Sequence, residues 1–211
     1  MNYSVIIPAY NEEKVIQKTL NSLPKEIEKI VVCNGCTDDT KKRANKQAKV
    51  FSIKTPNVSK ARNYGAKKSS GDILIFLDAD TQFKKNTLEG IKKVMESAVV
   101  GTCKNKPSPL KLKFIFLTLF KNSLLKFNWS SGIIFCKKRV FSKIKGFNEN
   151  LTKKETSNFI KKAKKYGNYG ISNSYVITSM RRFEEWGILK TIFFWIKETS
   201  KPTKKDYPKI R

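Results

Sequence analysis

At residues 72–80 the chain reads Asp72-Ile73-Leu74-Ile75-Phe76-Leu77-Asp78-Ala79-Asp80, an apolar run that ends in two carboxylates. Continuous aliphatic and β-branched residues are typical of a strand buried on both faces, as in parallel sheets. Ligands of open α/β sheets bind just beyond the carboxyl ends of such strands. Because the sequence has no His and no Arg close by, Asp78 and Asp80 would repel each other there unless a cation lay between them. Their hard oxygens suit Mg²⁺ or Mn²⁺, which bind nucleotide phosphates. The alternative is a pair of acids that face solvent or cap the next helix.

The first hundred residues alternate between strand and helix patterns. The predicted strands are Tyr3–Ile7, Glu28–Cys33, Val50–Ile53 and Asp72–Leu77. The predicted helices are Glu12–Leu23, Asp39–Gln47, Ser59–Ser69 and Asn86–Met95. This alternation favours a parallel sheet of the nucleotide-binding type.

The second half has a different pattern. Lys104–Pro109 is predicted to be a charged loop. The other predicted segments are the Phe- and Leu-rich Leu110–Phe127, the strands Gly132–Cys136 and Tyr175–Ser179, and the helices Val140–Ile144, Glu155–Tyr166 and Trp186–Lys197. Since no repeat and no linker divides the sequence, we expect a single domain over residues 1–211.

The net charge of +27, from 44 Lys and Arg against 17 Asp and Glu, predicts attraction to a polyanion. The candidates are nucleic acid, an anionic membrane surface and phosphorylated substrates. A usage bias without a specific partner is the alternative. The chain starts directly with a strand pattern, and no uncharged run approaches the roughly 18–20 residues of a spanning helix. We therefore expect a cytoplasmic protein.

Cys33 and Cys36 form a C-x-x-C, a spacing found in redox sites and in halves of zinc sites. The sequence has no His and no second C-x-x-C, and Asn34-Gly35 is a turn signal. We therefore interpret these thiols, with Cys103 and Cys136, as small packing residues in a reducing compartment.

Four segments, in order over residues 3–80, resemble the signatures of family 2 glycosyltransferases. They are Val5–Glu13, Val31–Thr40, Lys60–Ala66 and Asp78-Ala79-Asp80. Lys145-Gly146-Phe147-Asn148-Glu149 is similar to the family's acceptor-side segment, so the resemblance covers about residues 1–186. It implies the GT-A nucleotide-diphospho-sugar transferase fold, an α/β fold with a mostly parallel central sheet flanked by helices. It further implies a nucleotide-sugar and metal-binding half (1–100), an acceptor half (101–186) and a C-terminal amphipathic helix and tail (187–211).

The resemblance also implies roles for individual residues. Asp78 and Asp80 would hold Mg²⁺ or Mn²⁺, which neutralises charge on the departing diphosphate. The residues implied in donor binding are Pro8, Ala9, Tyr10, Asn11, Glu12, Asn34, Arg62, Asp78, Arg181 and Arg182. Similar enzymes often pair uracil with an Asp on the second turn. Because Cys33 and Asn34 stand there in this sequence, both uridine and guanosine donors are open.

The resemblance assigns the general base to Glu155. The family has an acidic residue there, often in a Glu-Asp pair, that takes the proton of the acceptor hydroxyl. Here Thr156 replaces the Asp, so Glu155 could instead cap its helix, and Glu149 is the next candidate. One base and a direct attack imply inversion at the anomeric carbon.

The predicted function is therefore metal-dependent, inverting transfer of one sugar from a nucleoside-diphosphate sugar to an acceptor. Leu110–Phe127 and Trp186–Lys197 interleave Phe, Leu and Trp with Lys, a composition typical of helices in a lipid headgroup layer. This indicates peripheral association with an anionic membrane at its cytoplasmic face and a lipid-linked acceptor. The alternative is that both segments pack on the sheet or in a homodimer.

Two other functional classes are considered. A non-catalytic basic protein on a degenerate transferase fold would bind nucleic acid or an anionic membrane, but the sequence has no recognisable nucleic-acid motif, so no specific nucleic acid is expected. A sugar nucleotidyltransferase would have a Gly-rich segment after its first strand, where this chain has Pro8–Asn11.

Overall fold

The computed structural model describes residues 1–128, 130, 132–151, 153–188, 190, 191 and 193. The strands of this part of the chain are β1 (Tyr3–Ala9), β2 (Glu28–Asn34), β3 (Lys49–Ile53), β4 (Ile73–Leu77), β5 (Thr81–Phe83), β6 (Ala98–Ser108), β7 (Ile133–Lys137) and β8 (Asn168–Ser179). The helices are α1 (Ile16–Asn21), α2 (Thr40–Ala44), α3 (Val58–Lys68), α4 (Thr87–Ser97), α5 (Leu112–Ser123), α6 (Lys138–Lys143), α7 (Glu155–Ala163) and α8 (Arg181–Trp186). Single 3₁₀ turns, Leu124–Phe127 and Lys164–Tyr166, follow α5 and α7.

All eight strands of the described residues form one sheet, in the order β3-β2-β1-β4-β7-β6-β8-β5. The strands β3, β2, β1 and β4 are parallel, and β6 is parallel to β8. The strand β7 joins the two groups by antiparallel pairing with β4 and β6, and β5 pairs antiparallel with β8. The predicted α/β architecture with a mostly parallel sheet is confirmed.

The apolar run of β4 is buried on both faces, as its composition predicts. Ile75 belongs to the core on one side of the sheet, and Phe76 belongs to the core on the other side. Rings from the second half of the chain surround Phe76, and the Phe147 ring lies edge-on with a centroid distance of 4.9 Å. Since the pleat sends alternate side chains to opposite faces, β4 needs apolar residues at every position.

Helix α3 packs closely on β1 because Gly65 has no side chain. A Cβ at this position would overlap Cγ2 of Ile6 and contact Cγ2 of Val32. The close approach brings Arg62, one turn earlier on α3, over the carboxyl end of the sheet.

The first strand is longer than predicted, since β1 continues through Pro8 and Ala9. In this extension β1 pairs with β2 alone, because its pairing with β4 ends at Ile6. A proline is tolerated where one side of a strand has no partner for its missing N–H. The first helix is shorter than the predicted Glu12–Leu23, because Glu12 lies in the loop before it.

The prediction of a loop at Lys104–Pro109 is wrong. These residues up to Ser108 continue β6, whose ladder with β8 runs to the pair Ser108–Ser179. For the same reason β8 begins at Asn168, well before the predicted strand. Half of the predicted helix Trp186–Lys197, namely residues 189, 192 and 194–197, lies outside the described residues. In the described part of the chain, no helix has the length and apolar character needed to cross a membrane.

Candidate active site

Asp78 and Asp80 lie at the carboxyl end of β4. The backbone N–H of Asp78 donates to the carbonyl of Gly132 at 2.8 Å, and the N–H of Thr81 donates to the carbonyl of Asp78 at 3.0 Å. These bonds fix a tight turn, so both carboxylates are held at the sheet edge where α/β proteins bind ligands.

Arg62 connects Asp78 to Glu155. Its Nη2 lies 3.1 Å from Oδ1 of Asp78, and its Nη1 lies 3.3 Å from Oε1 of Glu155. The guanidinium carbon lies 5.2 Å from the centre of the Phe147 ring, and Arg62 is only 6% exposed. The expectation that no Arg neutralises the two aspartates is therefore wrong, because the fold brings in an Arg that is distant in sequence.

Arg181 forms a second ion-pair system with Glu12. Its Nη2 lies 2.6 and 2.7 Å from the two carboxylate oxygens of Glu12 and 3.7 Å from Oδ2 of Asp80. Burial raises the pKa of Glu12, and the hydrogen bond from Arg181 opposes that rise. The first loop and the first turn of α8 thus meet at the aspartates.

The electrostatics of Asp80 favour a bound cation. Burial, followed by the negative charge of Asp78, raises the pKa of Asp80 to about 6, although Arg181 and Arg182 act in the opposite direction. A divalent cation would reverse this rise in pKa, because it stabilises the charged carboxylate. Among the described residues, no group of three or more acidic, Cys or His side chains is arranged to hold a metal. Two carboxylates fit Mg²⁺ or Mn²⁺ all the same, since such ions take one or two protein carboxylates and complete their shell with phosphates and water.

Sequence reasoning missed Lys121 as a member of this cluster. Burial, followed by repulsion from Arg182, lowers the pKa of Lys121 to about 8, while Asp78 and Asp80 act to raise it. In the sequence, Lys121 is one of the four lysines that interrupt the Phe- and Leu-rich segment Leu110–Phe127. Its helical spacing was the available signal, because Phe114, Thr118 and Lys121 share one face of α5.

The first loop and the second turn are joined by side-chain amides. Asn11 accepts from the backbone N–H of Thr37 at 2.9 Å, and its amide nitrogen donates to Oγ1 of Thr37 at 3.1 Å. The side-chain oxygen of Asn34 accepts from the backbone N–H of Asn57 at 2.6 Å. Asn11 thus ties the loop after β1 to the turn after β2, and Asn34 ties the end of β2 to the start of α3.

The other predicted residues differ in what they can offer a ligand. Pro8 and Ala9 are buried in β1, whereas Tyr10 lies at the strand's exit and is half-buried. Arg182 follows Arg181 on α8 and acts electrostatically on Asp80 and Lys121. Glu149, the second candidate base, accepts instead from the amide of Asn63 at 2.9 Å. Glu149 is exposed, whereas Glu155 is partly buried and is linked to Asp78 through Arg62.

The two thiols of the C-x-x-C lie beside the first strand. Cys33 is buried in β2, and Sγ of Cys36 lies 3.2 Å from the carbonyl of Ala9. Both are free thiols in the structure.

Comparisons with known proteins agree with this arrangement. The chain matches the family described as Glycosyl transferase family 2 over residues 4–184. Poly(ribitol-phosphate) beta-N-acetylglucosaminyltransferase TarS of Staphylococcus aureus is 34% identical over 102 residues, which cover 42% of this chain and 18% of TarS. Glycosyltransferase AglE of Haloferax volcanii is 41% identical over 103 residues, which cover 41% of this chain and 33% of AglE. The chain thus spans a third or less of the length of either relative.

Solved structures show the same fold. S. aureus TarS 1–349 in complex with UDP-GlcNAc superposes with a TM-score of 0.69 at 26% identity, covering 85% of this chain and 58% of that one. Mannosyltransferase PcManGT from Pyrobaculum calidifontis, solved with GDP-Man and Mn²⁺, superposes with a TM-score of 0.68 at 18% identity, covering 96% of this chain and 65% of that one. Because the identity to PcManGT is only 18%, this likeness concerns the fold alone. The chain therefore belongs to glycosyl transferase family 2 and has the GT-A fold.

Proposed function

We propose that the protein transfers one sugar from a nucleoside-diphosphate sugar to an acceptor hydroxyl, with a divalent cation and with inversion at the anomeric carbon. The observation that carries this proposal is the convergence of Asp78 and Asp80 with Arg62 and Arg181 at the carboxyl end of β4. The UDP-GlcNAc complex of the related TarS supports the donor class.

Asp78 and Asp80 would hold Mg²⁺ or Mn²⁺, and the cation would neutralise charge that builds on the departing diphosphate. Arg181 and Lys121 supply further positive charge beside these aspartates. Glu12 orients the Arg181 guanidinium through two short contacts. A site that is positively charged before the substrate arrives stabilises the leaving group without reorganisation during the reaction.

Glu155 is the proposed general base. In a single displacement, the acceptor oxygen forms a bond to the anomeric carbon while the bond to the diphosphate oxygen breaks, and Glu155 takes the hydroxyl proton. Attack opposite the leaving group inverts the configuration. Arg62 acts as a positioning residue, because its contacts fix Glu155 relative to Asp78.

The nucleobase would meet Asn34 through its amide nitrogen, since the side-chain oxygen is already engaged by Asn57. An amide N–H donates to carbonyl oxygens, which both uracil and guanine carry. Proposed donors are therefore UDP- and GDP-sugars, with a uridine donor favoured by the TarS complex. A lipid-linked acceptor fits the location of the site, because Lys121 connects the aspartates to α5, a helix with a largely apolar exposed face.

The test is a thermal-shift panel of UDP-, GDP- and dTDP-sugars with and without Mn²⁺, followed by a transfer assay. Wild type should gain Mn²⁺-dependent stabilisation from one nucleotide class, and Asp80→Asn should lose that gain together with turnover. Glu89→Gln, an exposed change on α4, is the matched control and should behave as wild type. Undiminished transfer by Asp80→Asn, or by wild type in excess chelator, would refute the metal role. A product with retained configuration would refute the single displacement.

A further inference from the structure

An exposed apolar stripe runs along α5. Its members, called the α5 stripe here, are each 59–75% exposed, and they are Leu110, Leu112, Phe116, Leu119, Phe120 and Phe127. The four that lie within the helix are spaced by four, three and one residues, which places them on one side of it. Folded soluble proteins seldom leave so many large apolar side chains contiguous and open to water unless the surface binds something.

The opposite face of α5 is firmly docked on the protein. Phe114 is fully buried against Met180 and Phe183. In the last turn of the helix, the side chain of Asn122 both donates to and accepts from the backbone of Asn105, each at 2.9 Å. The helix therefore cannot roll its apolar side inward without breaking a packed core and two hydrogen bonds.

The charged residues of the segment that carries the stripe are all lysines, and one of them, Lys111, is paired with Glu184 of α8 at 2.6 Å. The segment 110–127 contains four lysines and no acidic residue. Lys113 and Lys126 are exposed at the two ends of the stripe, and the whole chain carries +27. Apolar side chains flanked by lysines match a surface that is hydrophobic beneath a layer of negative charge.

We propose that the α5 stripe is a docking surface for an anionic lipid bilayer, with its Phe and Leu side chains in the headgroup layer and with Lys113 and Lys126 at the lipid phosphates. A second copy of the chain fits this surface poorly. In a two-fold dimer the same patch faces itself, so the lysines of one copy would approach the lysines of the other. A bilayer supplies the missing negative charge.

The experiment measures partition of the purified protein onto vesicles of phosphatidylcholine alone or mixed with phosphatidylglycerol, without donor. We expect binding to the anionic vesicles that weakens steeply with salt, because exposed charges are screened within about 8 Å at physiological ionic strength. Phe116→Ser with Phe120→Ser leaves the net charge unchanged and should lower the partition coefficient by at least about tenfold, from the lost apolar burial. Both side chains face solvent, so the melting temperature should stay near that of wild type.

Charge is tested separately by two matched pairs of substitutions. Lys113→Gln with Lys126→Gln should lower binding to anionic vesicles by about thirtyfold, at roughly 1 kcal/mol per lysine near the surface. Lys42→Gln with Lys46→Gln removes the same charge at exposed positions on and just after α2, near the other end of the sheet, and should have little effect. Asp80→Asn should bind vesicles as wild type does, which separates docking from the proposed catalysis.

Three results would overturn the proposal. The first is equal binding of the Phe116→Ser, Phe120→Ser variant and wild type to anionic vesicles. The second is a wild-type dimer in sedimentation that the same variant converts to monomer, with no vesicle binding. The third is preferential capture of a nucleic acid that depends on Phe116 and Phe120 while vesicles stay unbound.

Discussion

The two halves of the molecule differ in how directly their sequence indicates what they contribute to one charged site. The region from β1 to β4 supplies the acids Glu12, Asp78 and Asp80, each within or next to a contiguous sequence signature. The region of α5 and α8 supplies the cations Lys121 and Arg181. The family resemblance implied a role in donor binding for Arg181 but none for Lys121. The comparison teaches that contiguous signatures indicate candidate site residues, whereas a cation such as Lys121 is brought beside the aspartates only by the fold.

The two arginines sharpen this contrast. Arg62, from the first half, is 6% exposed and bound by two carboxylates. The Arg181 side chain, from the second half, is 32% exposed and can move toward a ligand with less loss of packing. We therefore expect changes near Arg62 to alter the scaffold and changes near Arg181 and Lys121 to alter binding.

The largest effect is expected for Glu155→Gln. The amide keeps the size of the side chain and a hydrogen-bond acceptor for Arg62, but it cannot take the acceptor proton. The turnover number should fall by roughly 10²–10⁴-fold while donor affinity is retained. Steady-state kinetics with varied donor measure both. Glu149→Gln is the control, and a larger loss in that variant than in Glu155→Gln would transfer the role to Glu149.

The next effect is on stability. Arg62→Met leaves the half-exposed Asp78 and the mostly buried Glu155 without their shared cation, and an unpaired buried acceptor costs about 1–3 kcal/mol. Arg181→Met, at a more exposed pair, should cost clearly less. Urea denaturation of both variants gives the free energies of unfolding. Equal losses would show that the two ion-pair systems support the fold to the same degree, which would contradict the expected difference between Arg62 and Arg181.

A pH effect of about 2 kcal/mol is expected from Asp80. Its pKa in the folded protein is raised to about 6, so between pH 4 and 6 the folded state binds more protons than the unfolded state. The free energy of unfolding contributed by this group is therefore highest below about pH 4 and is lost as pH rises through 6. Asp80→Asn should be more stable than wild type at pH 7.5 and no more stable at pH 4. Parallel denaturation profiles at the two pH values would contradict this.

The smallest effect is expected for Lys121→Met. Loss of one ammonium beside the aspartates should raise KM for the donor by about tenfold, the size of one charge-assisted contact, with turnover changed less. Lys113→Met on the exposed side of the same helix is the matched control and should leave KM unaltered. A fall in turnover alone would place Lys121 at the acceptor or in the chemical step.

Much of the fold and of the acidic half of the site could be predicted from sequence. The run Asp72–Asp80 predicted a buried strand ending in carboxylates, and β4 has this form. Local patterns of this kind depend on residues that are neighbours in the chain, so a single sequence contains them.

The parts that sequence did not predict depend on distant partners. Lys104 and Lys106 are polar residues that form β6 because β8 lies alongside them, and the Lys106 ammonium lies 4.6 Å from the centre of the Tyr175 ring. Strand propensity is context-dependent and yields to such pairing. Likewise, the contacts of Arg62 with Asp78 and Glu155 arise only when α3 and α7 meet over the sheet.

The contact between Glu12 and Arg181 spans 169 residues and has a consequence for protein synthesis. The ribosome releases the amino-terminal half first, with its acidic side chains gathered but not compensated by the later segments. Helix α8 is among the last described elements to emerge, and it brings the guanidinium that closes the first loop onto the aspartates. On the proposed function, a nascent chain arrested before residue 181 would hold the strands of the sheet but lack Arg181, so donor turnover would begin only after this residue has emerged.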